Sequence, residues 1–412
     1  MLNLRNLFVA AVLITPAAPA FADVIADWND KAAAFLAEKM VTGHLAERTM
    51  AMVHLAMFDT VNAIEPRYRP FLIQPQASPA LPKDVAAAAA AGTVLAGLYA
   101  PPVGSFKDQM AAYLEAISDD EAKSQAIALG EAVAANILAA RAGDGSAALD
   151  NYRPKTKPGV YVSTAPMVAS MAPELKPFAI PTPSHFRPKS PIALTSEQWA
   201  ADYNEIKSLG ARNSDKRSPK QTEDARFWLM TGPIAYYPVV RQIAAGKKLG
   251  ALESARFFAL VSIARMDALI AVYDAKYHYE FWRPVTAIRN GDIDENSATD
   301  RQASWQPIAD TPMHPEYPCA HCIVAGALES VVESVFGSTE ISEVASTSLT
   351  APGVTHRWTS VRALTDEVSG ARIWAGFHYR FSTQVGGDMG RKIGRYVADN
   401  MLQPATLETT QK

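Results

Sequence analysis

Apolar residues recur at spacings of three and four through most of the chain. The pattern is clearest in LAERTMAMVHLAMFDTVNAI from Leu45, DEAKSQAIALGEAVAANILAARAGDG from Asp120 and LESARFFALVSIARMDALIAVYDAKYHYEF from Leu252. Such spacing predicts amphipathic or fully buried α-helices. Acidic residues open the second stretch and AGDG closes it, as helix termini prefer. A further helix is predicted in TSEQWAADYNEIKSLG, where Thr195 and Glu197 suit its start. No convincing run of alternating apolar and polar residues predicts strands, and no internal repeat appears. The expected fold class is therefore all-α, a helical bundle.

Between residues 151 and 195 the periodicity lapses. NYRPKTKPGVYV and PELKPFAIPTPSHFRPKSPIAL are rich in proline, yet they carry Tyr152, Tyr161, Phe178 and Phe186. That composition predicts a long ordered loop wrapped over a helical core, not a flexible linker. The expected organisation is one fused α-helical domain over residues 23–412. Helices fill 23–150, the wrapping segment covers 151–195, and a second helical half spans 196–402.

The segment MLNLRNLFVAAVLITPAAPAFA, residues 1–22, has a single charge at Arg5, an apolar run and an Ala20-Phe21-Ala22 ending. It predicts a signal peptide cut before Asp23, and with it a periplasmic or secreted protein. Its apolar core is too short to span a bilayer. The stretch VAAAAAAGTVLAGLYAPPVG from Val85 reads as a buried helix, so no transmembrane anchor is expected after cleavage. The whole chain has 412 residues, 49% of them hydrophobic, and a net charge of −3. It is globular, and nucleic acid is not the expected partner.

Three stretches concentrate cationic and imidazole groups. DAKYHYEFWRP (274–284) holds Lys276 and Arg283 seven residues apart, roughly 10 Å along a helix. Pro284 disfavours helical geometry at Arg283, so that arginine turns off the helix end. HPEYPCAHCIVAGALESVVESVFG (314–337) begins a helix after Pro318 and sets His321 in its first turn. The N–H groups of Cys319, Ala320 and His321 are expected to be unpaired there, a ready anion site. SGARIWAGFHYRFS (369–382) places Arg372 and His378 about 120° apart on a continuous helix, so a bend near Gly376 is needed to bring them together. Taken singly, each reads as surface cations, a capping histidine or core. Taken together, two arginines, a lysine, two histidines and a helix start can enclose one tetrahedral oxyanion.

The order Lys-x6-Arg-Pro, Pro-x-x-His and Arg-x5-His, here KYHYEFWRP, PCAH and RIWAGFH, resembles the vanadium-dependent haloperoxidases and their relatives. Those relatives are the soluble acid phosphatases and the phosphatidic acid phosphatases. AMVHLAMFDTVNAIEP, LGEAVAANILAARAGDG, PIALTSEQWAADYNEIKSLG and QTEDARFW extend the likeness, to the bacterial haloperoxidase-type branch, over nearly all of the chain after residue 22. The resemblance implies a helical bundle with vanadate, or phosphate as a substrate-like oxyanion, at its core. It implies that His378 bonds the metal and His321 serves as acid–base. Lys276, Arg283 and Arg372 neutralise oxyanion charge, and Cys319 and Ala320 lie at the cofactor. Hydrogen peroxide and halide are then the substrates and hypohalous acid the product, with no haem. A phosphomonoester is the substrate if the chain is instead an acid phosphatase working through a phosphohistidine at His378. A third reading is an oxyanion-binding member without catalysis. Homo-oligomers are common among such families.

The chain departs from the usual Pro-Ser-Gly-His by Cys319 and Ala320, and Ala371 stands where a serine often precedes the arginine. CAHC lacks the flanking βαβ pattern of a thiol–disulfide oxidoreductase. Cys319 and Cys322 are expected to form a local disulfide or remain two quiet thiols. His278, His314 and His356 read as packed histidines, and Trp282, Trp374 and Phe377 as core. Asp274 and Glu280 are candidates to orient the cations, or simply face water.

Overall fold

Helix dominates the chain. The computed structural model describes residues 23–405, apart from 42, 100–105, 107, 110–114, 116, 117, 119 and 164. The expected signal segment lies outside the described residues. In chain order the helices are α1 (Val24–Glu38), α2 (Gly43–Ile64), α3 (Lys83–Leu98), α4 (Asp120–Ala140), α5 (Glu197–Leu209), α6 (Pro219–Phe227), α7 (Pro233–Gly246), α8 (Ala251–Tyr279), α9 (Pro284–Arg289) and α10 (Ala320–Phe336). A hairpin of β1 (Glu340–Ser348) and β2 (Ala351–Ser360) follows, then α11 (Val361–Trp374) and α12 (Arg380–Asn400).

The centre of the bundle is α8. It is apolar on every side, so a helix bound only by an amphipathic rule would not survive there; it needs neighbours all round. It packs against α2, α10 and α12, while α2 carries α3 and α4 outward. Phe257, Phe258, Leu260, Ile263 and Met266 are fully or almost fully buried, and each such side chain contributes about 1.5–3 kcal/mol. The all-α expectation holds, and among the described residues the only sheet is the antiparallel hairpin. Residue order alone does not predict that hairpin. Its β1 strand, EISEVASTS, is mostly polar. Burial alternates only in part of each strand: Val344, Ser346 and Ser348 are buried in β1, and in β2 His356, Trp358 and Ser360 are buried while Thr355, Arg357 and Thr359 are exposed. Gln242 of α7 caps the strand edge, accepting from the Ala345 N–H at 2.9 Å and donating to its carbonyl at 2.7 Å.

The close seam between α10 and α12 rests on glycine. Gly386, Gly390 and Gly394 recur one turn apart on α12. A Cβ at these positions would meet the carbonyl oxygens of Cys319, Ile323 and Ala327 at 2.6, 2.1 and 2.5 Å. Backbone therefore lies on backbone along the first two turns of α10, which fixes where that helix begins.

Helix α5 starts one residue later than expected. Ser196, not Thr195, is its cap, and the Ser196 hydroxyl accepts from the Trp199 N–H at 3.1 Å. Residues 151–195 carry only a 3₁₀ turn at Ala172–Glu174 among the described residues. They run along α8 and are tied to it by carboxylates. Asp267 accepts from the N–H groups of Phe178, Ala179 and Ile180 at 2.7, 2.7 and 2.9 Å, and Asp274 receives Arg187 through two bonds of 2.7 Å. At the end of α8, Val160 pairs with Phe281 in a β-bridge and the Tyr161 N–H donates to the Glu280 carbonyl. No described helix is long and apolar enough to cross a membrane.

Candidate functional site

The last turn of α8 carries Lys276, and the helix stops at Glu280 in the left-handed region. Arg283 is extended and caps α9, whose first residue is Pro284, so its side chain leaves the α8 axis. The 314–319 loop leads to α10, whose cap is Cys319 and whose first turn holds His321. Arg372 lies in the last turn of α11. Gly376, at φ +80°, then reverses the chain before His378. A side chain there is excluded twice over, by the positive φ and because a Cβ would stand 2.5 Å from the Gly210 carbonyl oxygen.

These elements converge. Lys276 is fully buried and donates to the carbonyls of Pro315 and Glu316 at 3.0 and 2.7 Å. Arg283 is fully buried too. Its Nε donates to the His314 carbonyl at 2.9 Å and its Nη1 to the Phe377 carbonyl at 3.0 Å. Nη1 also lies 3.2 Å from His378 Nε2, and Nη2 lies 3.0 Å from His314 Nδ1. Both cations therefore staple the 314–316 loop and the 377–378 turn to the end of α8. Arg372 donates from Nη1 to the Trp228 carbonyl at 2.5 Å and stacks 4.9 Å from the Phe377 ring.

A cavity of about 520 Å3 opens beside this cluster, and His314, Ala320, His321, Arg372, Phe377 and His378 line it. Arg283 lines a neighbouring cavity of about 830 Å3, with Ala309, Asp310 and Met313 forming wall common to both. Lys276 and Cys319 are not among the residues lining either. The arrangement thus has three of the expected side chains on the cavity and two cations behind its wall. His321 Nε2 and Arg372 Nε are buried with no hydrogen-bond partner among the described residues.

The orientation of His378 comes from Glu316. Glu316 Oε1 lies 2.7 Å from His378 Nδ1 and also accepts the Tyr379 N–H at 3.1 Å. Arg283 Nη1 can only donate, so Nε2 accepts and the ring proton sits on Nδ1, facing the carboxylate. This leaves the Nε2 lone pair directed toward the cations. Burial, reinforced by Arg283, Lys276 and Arg372, holds His378 well below the ordinary imidazole range. His321 is held down by burial and then by Arg372, with the Met230 carbonyl opposing. Burial and then Arg283 push Lys276 far below its usual value. Burial lowers Arg372 to about 9. Burial raises Glu316 to about 7 against the pull of Lys276 and Arg283. Each shift favours the neutral form, and three cations face one carboxylate. A buried site with that surplus is built to be completed by an anion.

Several expectations need correction. Asp274 and Glu280 do not orient the cluster; they pair with Arg187 and, at 2.7 Å, with Lys155. His314 is no bland core histidine but lines the cavity and binds Arg283. Of the three helix-start N–H groups, that of Cys319 is taken by the Ser382 carbonyl at 3.3 Å. Cys319 and Cys322 are joined in a disulfide, with Cα atoms 5.3 Å apart. Cys319 therefore offers no thiol to an oxyanion; its sulfur instead accepts the Cys322 N–H at 3.1 Å. Glu316 was missed although it lies within HPEYPCAH. A carboxylate is unexpected in an anion site, and only the fold shows it standing behind the imidazole.

The family described as the VCPO second helical-bundle domain matches residues 256–406. A vanadium chloroperoxidase of Curvularia inaequalis is 28% identical over 181 residues, 37% of this chain and 30% of that protein; the match spans under a third of the relative's length. A bacterial vanadium-dependent iodoperoxidase superposes with a TM-score of 0.81 at 22% identity, over 94% of this chain and 98% of that one. The apo and holo forms of a bacterial vanadium-dependent chloroperoxidase give TM-scores of 0.68 and 0.65 at 17% and 18% identity. They cover 87% of this chain and 95% and 92% of theirs. The domain match covers α8 to α12, which carry the whole cation–histidine cluster: residues 256–406 match the VCPO second helical-bundle domain, and the chain shares the fold of the bacterial vanadium haloperoxidases.

Proposed function

We propose that the chain is a vanadium-dependent haloperoxidase that oxidises halide with hydrogen peroxide. The observation that carries this reading is the buried excess of Lys276, Arg283 and Arg372 over Glu316, beside a cavity onto which His321 Nε2 and Arg372 Nε open without partners among the described residues. Vanadate fits that set. It is an oxyanion that matches the charge, and the His378 lone pair is a nitrogen ligand of fixed tautomer. His378 would hold the metal, Arg372 and the Ala320 N–H would hold its oxygens, and Lys276 and Arg283 would act from behind the wall. Vanadate bound there supplies a Lewis-acidic centre that activates hydrogen peroxide toward halide.

The chain's own groups do the rest. Glu316 fixes the His378 ring and spreads positive charge from it, as a carboxylate behind a ligating imidazole does. His321 is neutral, faces the cavity and can take a proton at Nε2 when peroxide enters. Arg372 stabilises negative charge without reorganising, because Trp228 and Phe377 already hold it. The burial of Lys276, Arg283, Arg372 and His378 strengthens each of these interactions. The signal-like residues 1–22 and the Cys319–Cys322 disulfide support work in an oxidising compartment, outside the cell or in a periplasm.

Purified protein should brominate or iodinate a reporter with peroxide and halide only after vanadate is added. Phosphomonoester hydrolysis that vanadate inhibits would reassign the site to phosphatase chemistry, with His378 Nε2 as nucleophile. Neither activity would leave an oxyanion-binding protein.

A further inference from the structure

The 520 Å3 cavity has a second polar end, built from α2 and α8 rather than from the anion cluster. His44, Glu47 and Arg265 line it. His44 is 3% exposed, and neither ring nitrogen has a hydrogen-bond partner among the described residues. Arg265 is 1% exposed. Its Nε and Nη2 are held by Glu47, while Nη1 has no partner among the described residues. Buried donors and acceptors of this kind are normally satisfied, so a ligand is the natural way to complete them.

Two tyrosines set the distance to the anion end. The Tyr273 ring lies 6.2 Å from the His44 ring and 5.4 Å from the His314 ring. The Arg265 guanidinium lies 4.4 Å over the Tyr236 ring, whose hydroxyl is 3.4 Å from the His321 carbonyl. One aromatic ring therefore separates the two polar ends on either side. Leu229, Leu269 and Val324 supply apolar lining.

The far end is neutral. Glu47 cancels Arg265, and burial lowers His44 to about 4, so its ring is uncharged near pH 7 with one N–H and one lone pair. A carboxylate or ammonium would bring an unbalanced charge into it. A hydroxyl would not: it can donate to the imidazole lone pair and accept from Arg265 Nη1.

We propose that His44 and Arg265 form a subsite for the hydroxyl of a neutral phenol, whose ring lies along Leu269 and Val324 and points toward His321 and Arg372. As a binding site it stands on the cavity alone; as the halogen acceptor it rests on the haloperoxidase reading. In that role the ring carbon takes X from hypohalous acid. A C–X bond forms, the C–H bond breaks, and the released proton leaves with the hypohalous oxygen as water.

Calorimetric titration of vanadate-free protein with 4-methylphenol and with 4-methylanisole tests the subsite without any turnover. The phenol should bind about tenfold more tightly, since the ether cannot donate to His44. His44→Leu should fold, because no described group hydrogen-bonds to the ring and leucine keeps an apolar contact for Tyr273, and should bind the two probes equally. His44→Gln, which keeps a donor and an acceptor, should restore much of the preference. Equal binding of both probes by the wild type, no binding of either, or a preference that survives in His44→Leu would each overturn the proposal. A protein that binds the phenol yet shows no vanadate-dependent halide oxidation would retain the subsite and lose only the halogen-acceptor role.

Discussion

His356 and His378 are both buried rings with Nδ1 2.7 Å from a carboxylate, Glu367 in one case and Glu316 in the other. Their surroundings differ in charge. Around His356, Glu223 and Asp224 approach Nε2 at 3.3 and 3.6 Å, and Lys220 bridges both acids. The acids outnumber the lysine, but solvent reaches Lys220 and Glu223, whose side chains are 61% and 40% exposed. Around His378 the balance is reversed: Lys276, Arg283 and Arg372 face Glu316, and all four are at most 2% exposed. The same imidazole–carboxylate unit ties the hairpin to α6 and α11 in the first place. In the second the ring lies on the cavity wall with its Nε2 lone pair toward the buried Arg283. What separates scaffold from site is the sign of the uncompensated charge and whether water can screen it.

The sharpest way to break the comparison is to remove the surplus charge. Arg372→Ala should lower vanadate-dependent halide oxidation by about a hundredfold to a thousandfold, the usual cost of one preorganised donor. Full turnover in that variant would remove the anion cage from the mechanism. His378→Ala should abolish turnover and vanadate binding together.

Glu316→Gln keeps the shape and the acceptor for Tyr379 but removes the charge behind His378. Vanadate affinity should fall by about tenfold to a hundredfold, as for other partners behind a metal-ligating imidazole. Equilibrium dialysis reads this directly, and an unchanged affinity would show that Glu316 only fills space.

The third effect is linked to pH. His314, His321 and His378 have folded-state values well below 6.5. The unfolded chain thus takes up protons first, so the stability these groups confer is present above pH 6.5 and declines as pH falls below it. An anion in the cage favours the charged forms and moves the same groups back up. The melting-temperature rise given by inorganic phosphate should therefore be larger at pH 5.5 than at pH 7.5. A rise that grows with pH would contradict the cationic assignment.

The smallest effect belongs to the other cluster. Lys220→Met should leave vanadate-dependent turnover within about twofold and change stability by no more than about 1 kcal/mol, because the ammonium is largely solvated. A large loss of turnover would mean that the His356 cluster is coupled to the site.

Much of this was written along the chain. Three- and four-residue spacing determines helices wherever the buried face is continuous, so α2, α4 and α8 are legible from residue order alone. Lys276, Arg283, His321, Arg372 and His378 stand out because basic groups are costly in apolar stretches. Other features depended on partners distant in sequence. The polar β1 strand gains its order from pairing with β2 and from Gln242, which no local pattern records. Glu316 acquires its meaning only when the 372–378 turn brings His378 to it, 62 positions away. His44 and Arg265 meet one cavity because α2 packs on α8. Local propensity is carried by neighbours a few residues apart, whereas the charge balance of a buried pocket is a sum over elements that only folding brings within a few ångströms.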